Sequence, residues 1–178
     1  MENPLLVMIS FILEMDEIGL KAIVEEHINM YEEMLDQFKN ELPENMYNQL
    51  FTSFLNTKAW VLRKNPYRYD EALSYIEKAI ELSETEIVNF YDTKAYILCK
   101  QEKYQDALEL YTKCIDEYDN SYYRICRGDI YKEMGNFEMA KADYSKAIEL
   151  FDKNILSNYT IGEGIEFLKN RIKRLRRN

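Results

Sequence analysis

The chain has 178 residues, which is enough to bury one well-formed core, and two independent domains would be a tight fit. Its 5 glycines and 3 prolines are too few for an all-β chain punctuated by tight turns, and Glu, Lys, Leu, Ile and Tyr are abundant. The formal net charge of −9 argues against nucleic acids and anionic membranes as partners. Together these features predict one all-α domain.

The charge is unevenly distributed along the chain. Residues 1–50 contain eleven acidic residues against Lys21 and Lys39, so this part alone has a net charge of −9. Such a surface speeds the encounter with a basic partner at low salt, or it serves only solubility. The last ten residues contain no acidic residue and six basic ones, which suit the end of a helix: Lys169, Arg171, Lys173, Arg174, Arg176 and Arg177.

The N-terminal part predicts a helix pair over residues 4–39. Asn3 can cap a first helix of residues 4–15 that contains the apolar run from Leu5 to Leu13. No basic residue precedes this run and it is too short to span a bilayer, so we expect neither a signal peptide nor a membrane segment. A second helix of about 17–39, capped by Asp16, carries one apolar stripe: Ile18, Ala22, Ile28, Tyr31, Leu35 and Phe38. The sequence Asn-Glu-Leu-Pro at 40–43 ends it.

From residue 45 onward the chain repeats itself with a period of about 34 residues. Residues 57–64, TKAWVLRK, return at 93–100 as TKAYILCK. The run YDEAL at 69–73 returns as YQDAL at 104–108 and as FEMAK at 137–141. The equivalent alanines Ala72, Ala107 and Ala140 are separated by 35 and 33 residues, so there are three copies.

These motifs resemble the tetratricopeptide repeat (TPR) family. Its unit has a small residue in the first helix, followed three positions later by an aromatic one, and an alanine, aromatic and alanine series in the second. The third copy matches best, with Gly128, Tyr131, Ala140, Tyr144 and Ala147. The resemblance covers residues 45–151 and implies a right-handed superhelical stack of antiparallel helix pairs, here at 44–83, 86–118 and 121–151.

Three positions depart from the family pattern. Glu84 and Asp119 stand where a proline often follows the second helix, and Arg124 occupies a position that is usually aromatic or aliphatic. We expect these residues to change the details of the stacking but not the fold.

The chain closes with a predicted capping helix over 160–177. Thr160 and Glu163 have the spacing of a capping box. The apolar residues that follow form one stripe able to cover the exposed end of the last pair: Ile161, Ile165, Leu168, Ile172 and Leu175.

Little in the sequence indicates catalysis. The single histidine, His27, has Glu25 and Glu26 beside it, and adjacent residues on a helix point in different directions. No phosphate-loop, dinucleotide, hydrolase or zinc-protease motif is present. Cys99, Cys114 and Cys126 form neither a CxxC pair nor a cluster with histidine. We therefore expect no catalytic residue, metal or cofactor, and a reducing cytoplasmic location.

Members of the TPR family usually hold partners in the concave groove lined by the first helices of successive pairs. Helical spacing predicts which residues face this groove. They are Ser53, Asn56, Trp60 and Arg63 in the first copy, Asn89, Asp92, Tyr96 and Cys99 in the second, and Tyr122, Ile125, Asp129 and Lys132 in the third. All except Ser53, Cys99 and Ile125 are our candidate partner-binding residues.

Trp60 and Tyr96 are equivalent positions in adjacent copies, so they form an aromatic ladder for a partner, or else they pack as core. The lysine and asparagine set with which some family members grip a C-terminal carboxylate is replaced by Asn56 and Trp60, so that specificity is not expected.

The sequence thus predicts a non-enzymatic adaptor that binds another protein or peptide in this groove. An alternative is an immunity- or antitoxin-type inhibitor that neutralises a basic toxin through the acidic residues 14–44. In a third hypothesis, the apolar run from Leu5 to Leu13 forms a homodimer interface.

Overall fold

A computed structural model describes residues 17–83, 88–153 and 159–175, and within these ranges all regular secondary structure is helical. The α-helices are α1 (Glu17–Phe38), α2 (Glu44–Leu62), α3 (Tyr69–Leu82), α4 (Val88–Lys100), α5 (Tyr104–Glu117), α6 (Ser121–Glu133), α7 (Phe137–Lys153) and α8 (Tyr159–Leu175). A 3-10 turn, Pro66–Arg68, precedes α3. The predicted first helix at 4–15, the cap Asp16, Glu84 and the final basic residues Arg176 and Arg177 lie outside the described residues.

Local sequence signals explain where several helices begin and end. The side chain of Asn120 accepts a hydrogen bond from the amide of Tyr123 at 2.9 Å, which caps α6. Asn65 caps the 3-10 turn in the same way through the amide of Tyr67 at 3.1 Å. Gly135 has a φ of +75° in the turn between α6 and α7, a conformation that costs glycine little. Short turns of this kind keep successive helices antiparallel.

The helices pack as a stack of hairpins, α2 with α3, α4 with α5, and α6 with α7, each pair also contacting the next. Ala59 and Ala95, the small residues of the first two copies, are fully buried. Ile76 and Ile97 are also fully buried, and burial of such a side chain contributes roughly 1.5–3 kcal/mol. The predicted all-α solenoid of helix pairs is confirmed.

Arg124, which departs from the family pattern, belongs to an ion network joining α5, α6 and α7. Its guanidinium lies 2.8 Å from Asp119 and 3.1 Å from Asp143. Asp143 is only 3% exposed and also accepts two 2.8 Å hydrogen bonds from Arg127. Arg127 in turn donates to the hydroxyl of Thr112 at 3.1 Å. A charged cluster with satisfied hydrogen bonds therefore replaces an apolar contact at this joint.

The helix α1 packs on α2 with only part of its predicted stripe. Tyr31 contacts Phe54 at 5.3 Å between ring centroids, and Leu35 is buried. Phe38 was predicted to belong to this stripe, and that prediction is wrong. It lies in the last turn of α1, and its side chain is 40% exposed. The side chains of Ile18 and Ala22 lie outside the described residues.

The C-terminal helix α8 covers the end of the last pair. Leu168 and Leu175 are buried against Ala140, Tyr144 and Ala147, which confirms the packing role of this stripe. The side chains of Thr160 and Glu163, which form the predicted capping box, lie outside the described residues. None of the helices that the structure describes has the length and apolar character needed to cross a bilayer.

Candidate functional site

The candidate groove is centred on a guanidinium held between two aromatic rings from adjacent repeats. The Cζ of Arg63 lies 4.9 Å from the ring centroid of Trp60 and 4.4 Å from that of Tyr96. Arg63 directly follows Leu62, the last residue of α2, and its side chain reaches from the end of this first helix to the next, α4. All three side chains are partly buried. The aromatic ladder predicted from Trp60 and Tyr96 is thus an alternating arrangement of tryptophan, arginine and tyrosine.

Two lysines extend this cationic and aromatic character. The Nζ of Lys64 lies 5.1 Å from the Trp60 ring centroid, and that of Lys100 lies 5.5 Å from the Tyr96 ring centroid. Cation–π contacts at such distances contribute about 0.5–1 kcal/mol at exposed sites. These lysines were not among the residues predicted for the groove, although both occupy the last position of the repeated octapeptide.

Asp92 and Tyr122 provide the polar part of the groove. The Tyr122 hydroxyl donates to Oδ2 of Asp92 at 3.5 Å, and Tyr122 is 47% exposed. Burial raises the pKa of the Asp92 carboxyl, and the positive charge of Arg63 opposes this increase. Asn56, on α2, is partly buried, while Asn89, on α4, is exposed. Helical spacing places Asn56 on the Trp60 side of α2 and Asn89 on the Tyr96 side of α4.

Asp129 is bound within the chain. Its carboxylate accepts a 2.6 Å hydrogen bond from the Tyr144 hydroxyl and contacts the guanidinium of Arg171 on α8. Lys132 is exposed and its Nζ lies 2.7 Å from Glu133. The structure thus brings together Trp60, Arg63, Asp92, Tyr96 and Tyr122, whereas Asp129 serves the packing of the C-terminal helix. The contact between Arg171 and Asp129 joins residues 42 apart and had no signal in the spacing of the sequence.

The remaining polar features are the three cysteines, two of which interact electrostatically with Asp92, and a depression over α3. Cys99, Cys114 and Cys126 are free thiols, and burial raises the pKa of Cys114 and of Cys126 to about 12. Within the described ranges, no three His, Cys, Asp or Glu side chains are placed to hold a metal ion. An open depression over α3, lined by Asp70, Glu77 and Lys103 among others, includes none of the groove residues.

The comparisons with known proteins agree with this architecture. The family model of the tetratricopeptide repeat-like domain matches residues 18–162. Because this match covers more than half of the chain, the chain belongs to the TPR-like family. The resemblance predicted from the repeated motifs is confirmed.

Two curated relatives match part of the chain. A TPR repeat-containing protein of Methanocaldococcus jannaschii is 34% identical over 86 residues, and Heat shock protein STI1 of Saccharomyces cerevisiae is 30% identical over 89 residues. Each alignment covers 48% of this chain and 15% of the relative. The similarity therefore concerns a repeat segment of much longer proteins.

Solved structures share the fold at low sequence identity. PcrH, in complex with the chaperone binding region of PopB, has a TM-score of 0.56 at 12% identity, covering 75% of this chain and 97% of PcrH. MamA from Desulfovibrio magneticus has a TM-score of 0.54 at 14% identity, covering 84% of this chain and 87% of MamA. A tetratricopeptide repeat protein of Parabacteroides merdae has a TM-score of 0.58 at 17% identity, covering 87% and 59%. These similarities establish the fold alone.

Proposed function

We propose that this chain is a non-enzymatic adaptor that holds a segment of another protein in the groove formed by α2, α4 and α6. The observation that carries the proposal is the Arg63 guanidinium fixed between Trp60 and Tyr96. Tryptophan, tyrosine and arginine are the residues that most often dominate binding energy at protein interfaces. Because Arg63 is already held by the rings, less side-chain entropy is lost when a partner binds.

The comparisons support a binding role for such a groove. PcrH shares the fold and was solved with a segment of another protein, the chaperone binding region of PopB. The described groove also contains charges of both signs, since Arg63 acts on the carboxylate of Asp92 and Lys100 lies over the ring of Tyr96. A groove with charges of both signs suits a polar protein segment better than a nucleic acid, because the phosphates of a nucleic acid require an excess of positive charge. The free thiols are consistent with a reducing cytoplasmic compartment.

Affinity capture with matched variants tests the proposal. The wild-type chain is compared with Trp60→Ala/Tyr96→Ala, which removes both rings around Arg63. The control is Tyr67→Ala/Tyr118→Ala, which removes two aromatic side chains that are 98% and 65% exposed and are not among the groove residues. We expect the same partner on the wild type and the control and at least a tenfold lower affinity for the groove variant, with helicity unchanged by circular dichroism. If the wild type, the groove variant and the control capture equal amounts of the partner, the groove is not the binding site.

A second candidate function rests on the outer face of α1. Met30, Met34 and Phe38 recur every four residues and are 59%, 41% and 40% exposed, with the exposed acids Glu33 and Asp36 on the same helix. An apolar stripe with acidic neighbours suits a basic partner, as in the inhibitor hypothesis. If this face binds the partner, the groove variant and the wild type capture equal amounts of it. The captured amount falls steeply as the salt concentration rises, and no partner is captured by Met34→Glu/Phe38→Glu.

A further inference from the structure

The two ends of the helical stack carry opposite charges. The helix α1 packs on α2 at one end, and α8 packs on α7 at the other. The first fifty residues contain eleven acidic and two basic residues, whereas the last ten contain six basic residues and no acidic one. Three hairpins lie between α1 and α8, so these helices are held apart within one chain. The charges are therefore placed to attract opposite ends of two copies.

The free face of α1 combines apolar and acidic side chains. Met30, Met34 and Phe38 are exposed and recur every four residues, and we call them the α1 stripe. Glu26 lies four residues before Met30 and Glu33 three residues after it, so helical spacing places both exposed acids beside this stripe. At 1.5 Å per residue, the α1 stripe is about 12 Å long.

The helix predicted for residues 4–15 is too short to cover the α1 stripe. At 1.5 Å per residue such a helix is about 18 Å long, so when it folds back along α1 it ends near Ile28. Met34 and Phe38 lie one and a half to three turns further along α1. The α1 stripe thus needs a different occupant.

The outer side of α8 has a complementary character. Phe167, Arg171 and Arg174 are separated by four and three residues, so they share one side of the helix, and we call them the α8 stripe. Phe167 is 55% exposed, and the Cζ of Arg171 lies 4.6 Å from its ring centroid. Arg174 and its neighbour Lys173 are exposed. The α8 stripe is about 10 Å long.

The two stripes match in length, apolar character and charge. Two helices can pack side by side over such a length, which is about two turns. Methionine side chains adapt to an aromatic ring and make favourable sulfur–aromatic contacts, so Met30 and Met34 suit Phe167. Among the described residues, neither the two acids beside the α1 stripe nor Lys173 and Arg174 have an ion-pair partner. These charges are therefore available to each other.

We propose that the α8 stripe of one copy docks on the α1 stripe of a second copy of this chain. Phe167 packs among the methionines, while Lys173 and Arg174 pair with Glu26 and Glu33. Because the two surfaces differ, the contact is heterologous, and every docked pair keeps one free end of each kind to which further copies add. The contact is weak, because the stripes are short and the net charge of −9 opposes association.

The proposal is independent of the groove, but it rests on the second candidate function. That function assigns a basic partner to the outer face of α1, and the proposal identifies this partner as α8 of another copy.

Sedimentation velocity of full-length variants tests the contact. The α1 variant is Met34→Glu/Phe38→Glu, and the α8 variant is Phe167→Glu/Arg174→Glu. In the α8 variant, the new carboxylate four residues before Arg171 retains a helical neighbour for this guanidinium. Circular dichroism verifies that both variants are as helical as the wild type. Measurements at about 0.15 M salt, where the Debye length is about 8 Å, screen the long-range repulsion between the acidic chains.

We expect the wild type to form dimers and larger species as its concentration rises to about 0.3 mM, a range that detects a weak contact. The control Tyr67→Ala/Tyr118→Ala changes exposed aromatic residues outside both stripes and should behave like the wild type. Each stripe variant alone should associate at least tenfold more weakly. An equimolar mixture of the two variants should form a dimer and nothing larger, because it retains one intact stripe of each kind.

Other results would overturn the proposal. A wild type that stays monomeric over this range, or a mixture of variants that does not dimerise, would exclude docking of α8 on α1. Association of the α8 variant alone would indicate contact between two α1 helices, and association of the α1 variant alone would indicate contact between two α8 helices.

Affinity capture separates this failure from failure of the second candidate function. If the wild type is monomeric but captures a foreign basic protein that the α1 variant does not capture, the face of α1 binds that protein and only the docking of α8 is wrong. If the α1 variant captures the same proteins as the wild type, the second candidate function is also wrong.

Discussion

Replacement of Gly128 by alanine tests the close packing between α6 and α7. A Cβ atom at this position would lie 2.7 Å from Cε1 and 2.9 Å from Cδ1 of Tyr144, and 3.3 Å from the carbonyl oxygen of Ala140. Carbon atoms attract each other only at about 3.5–4.0 Å, so the ring must move. Tyr144 is fully buried and its hydroxyl donates to Asp129 at 2.6 Å, so it is held at both ends.

Two opposing terms determine the size of the effect. Overpacking a buried site costs roughly 1–3 kcal/mol. Alanine is favoured over glycine inside a helix by about 1 kcal/mol. Because movement of the Tyr144 ring also strains its hydrogen bond to Asp129, we expect the clash to dominate and the free energy of unfolding to fall by about 1–2 kcal/mol. For a chain of this size, each kcal/mol lowers the melting temperature by about 2–4 °C.

Urea denaturation of four proteins measures this effect: the wild type, Gly128→Ala, Tyr144→Ile and the double variant. The first repeat already combines Ala59 with Ile76 at the equivalent positions, both fully buried, so an alanine and isoleucine pair fits this crossing. In the Tyr144→Ile background, Gly128→Ala should therefore be neutral or stabilising. If Gly128→Ala is as stable as the wild type, or is equally destabilising in both backgrounds, the clash with Tyr144 is not the cause.

Three further predictions concern the ion network and the thiols. Asp143→Ala leaves the guanidinium groups of Arg124 and Arg127 without their buried carboxylate, so urea denaturation should show a loss of about 3–5 kcal/mol. Asp119→Ala, at the exposed side of the network, should cost less than about 1 kcal/mol, and equal losses would contradict this description. Hydrogen bonding to Arg124 lowers the pKa of Asp119, so its stabilising contribution is present above the unfolded pKa of about 3.9 and disappears as the pH falls through the lower folded value. Acid titrations of stability should show this loss in the wild type and a smaller one in Arg124→Gln. Burial raises the pKa of Cys114 to about 12, so iodoacetamide at about pH 8 should label this thiol only after unfolding, and rapid labelling of the folded chain, read by mass spectrometry, would contradict its burial.

Much of the fold could be predicted from the sequence because each repeat carries its own local signals. The spacing of Ala59, Ala95 and Gly128 identified the helix crossings, and these positions are buried. The stripe of Leu168 and Leu175 similarly predicted a helix that covers the last pair, and both side chains are buried there. These features depend on helical periodicity, which a single sequence displays directly.

Long-range polar contacts could not be predicted in the same way. The equivalence of Trp60 and Tyr96 followed from the repeat, but the position of Arg63 between them depends on the conformation of a long side chain that crosses to the next hairpin. Phe38 matched the apolar stripe of α1 and is nevertheless exposed. Periodicity predicts which face of a helix is apolar, but it does not predict how far the neighbouring helices extend along that face. Such contacts are decided by tertiary packing.

The fluorescence of Trp60 provides the most direct test of the groove, because this is the single tryptophan of the chain. A peptide selected against the chain is titrated while the emission is recorded and the affinity is measured independently by calorimetry. Binding in the groove predicts a saturable change in Trp60 emission with the calorimetric affinity, and at least a tenfold loss of affinity in Tyr96→Ala. Calorimetric binding that leaves the Trp60 emission unchanged and is equally tight in Tyr96→Ala would contradict the proposal.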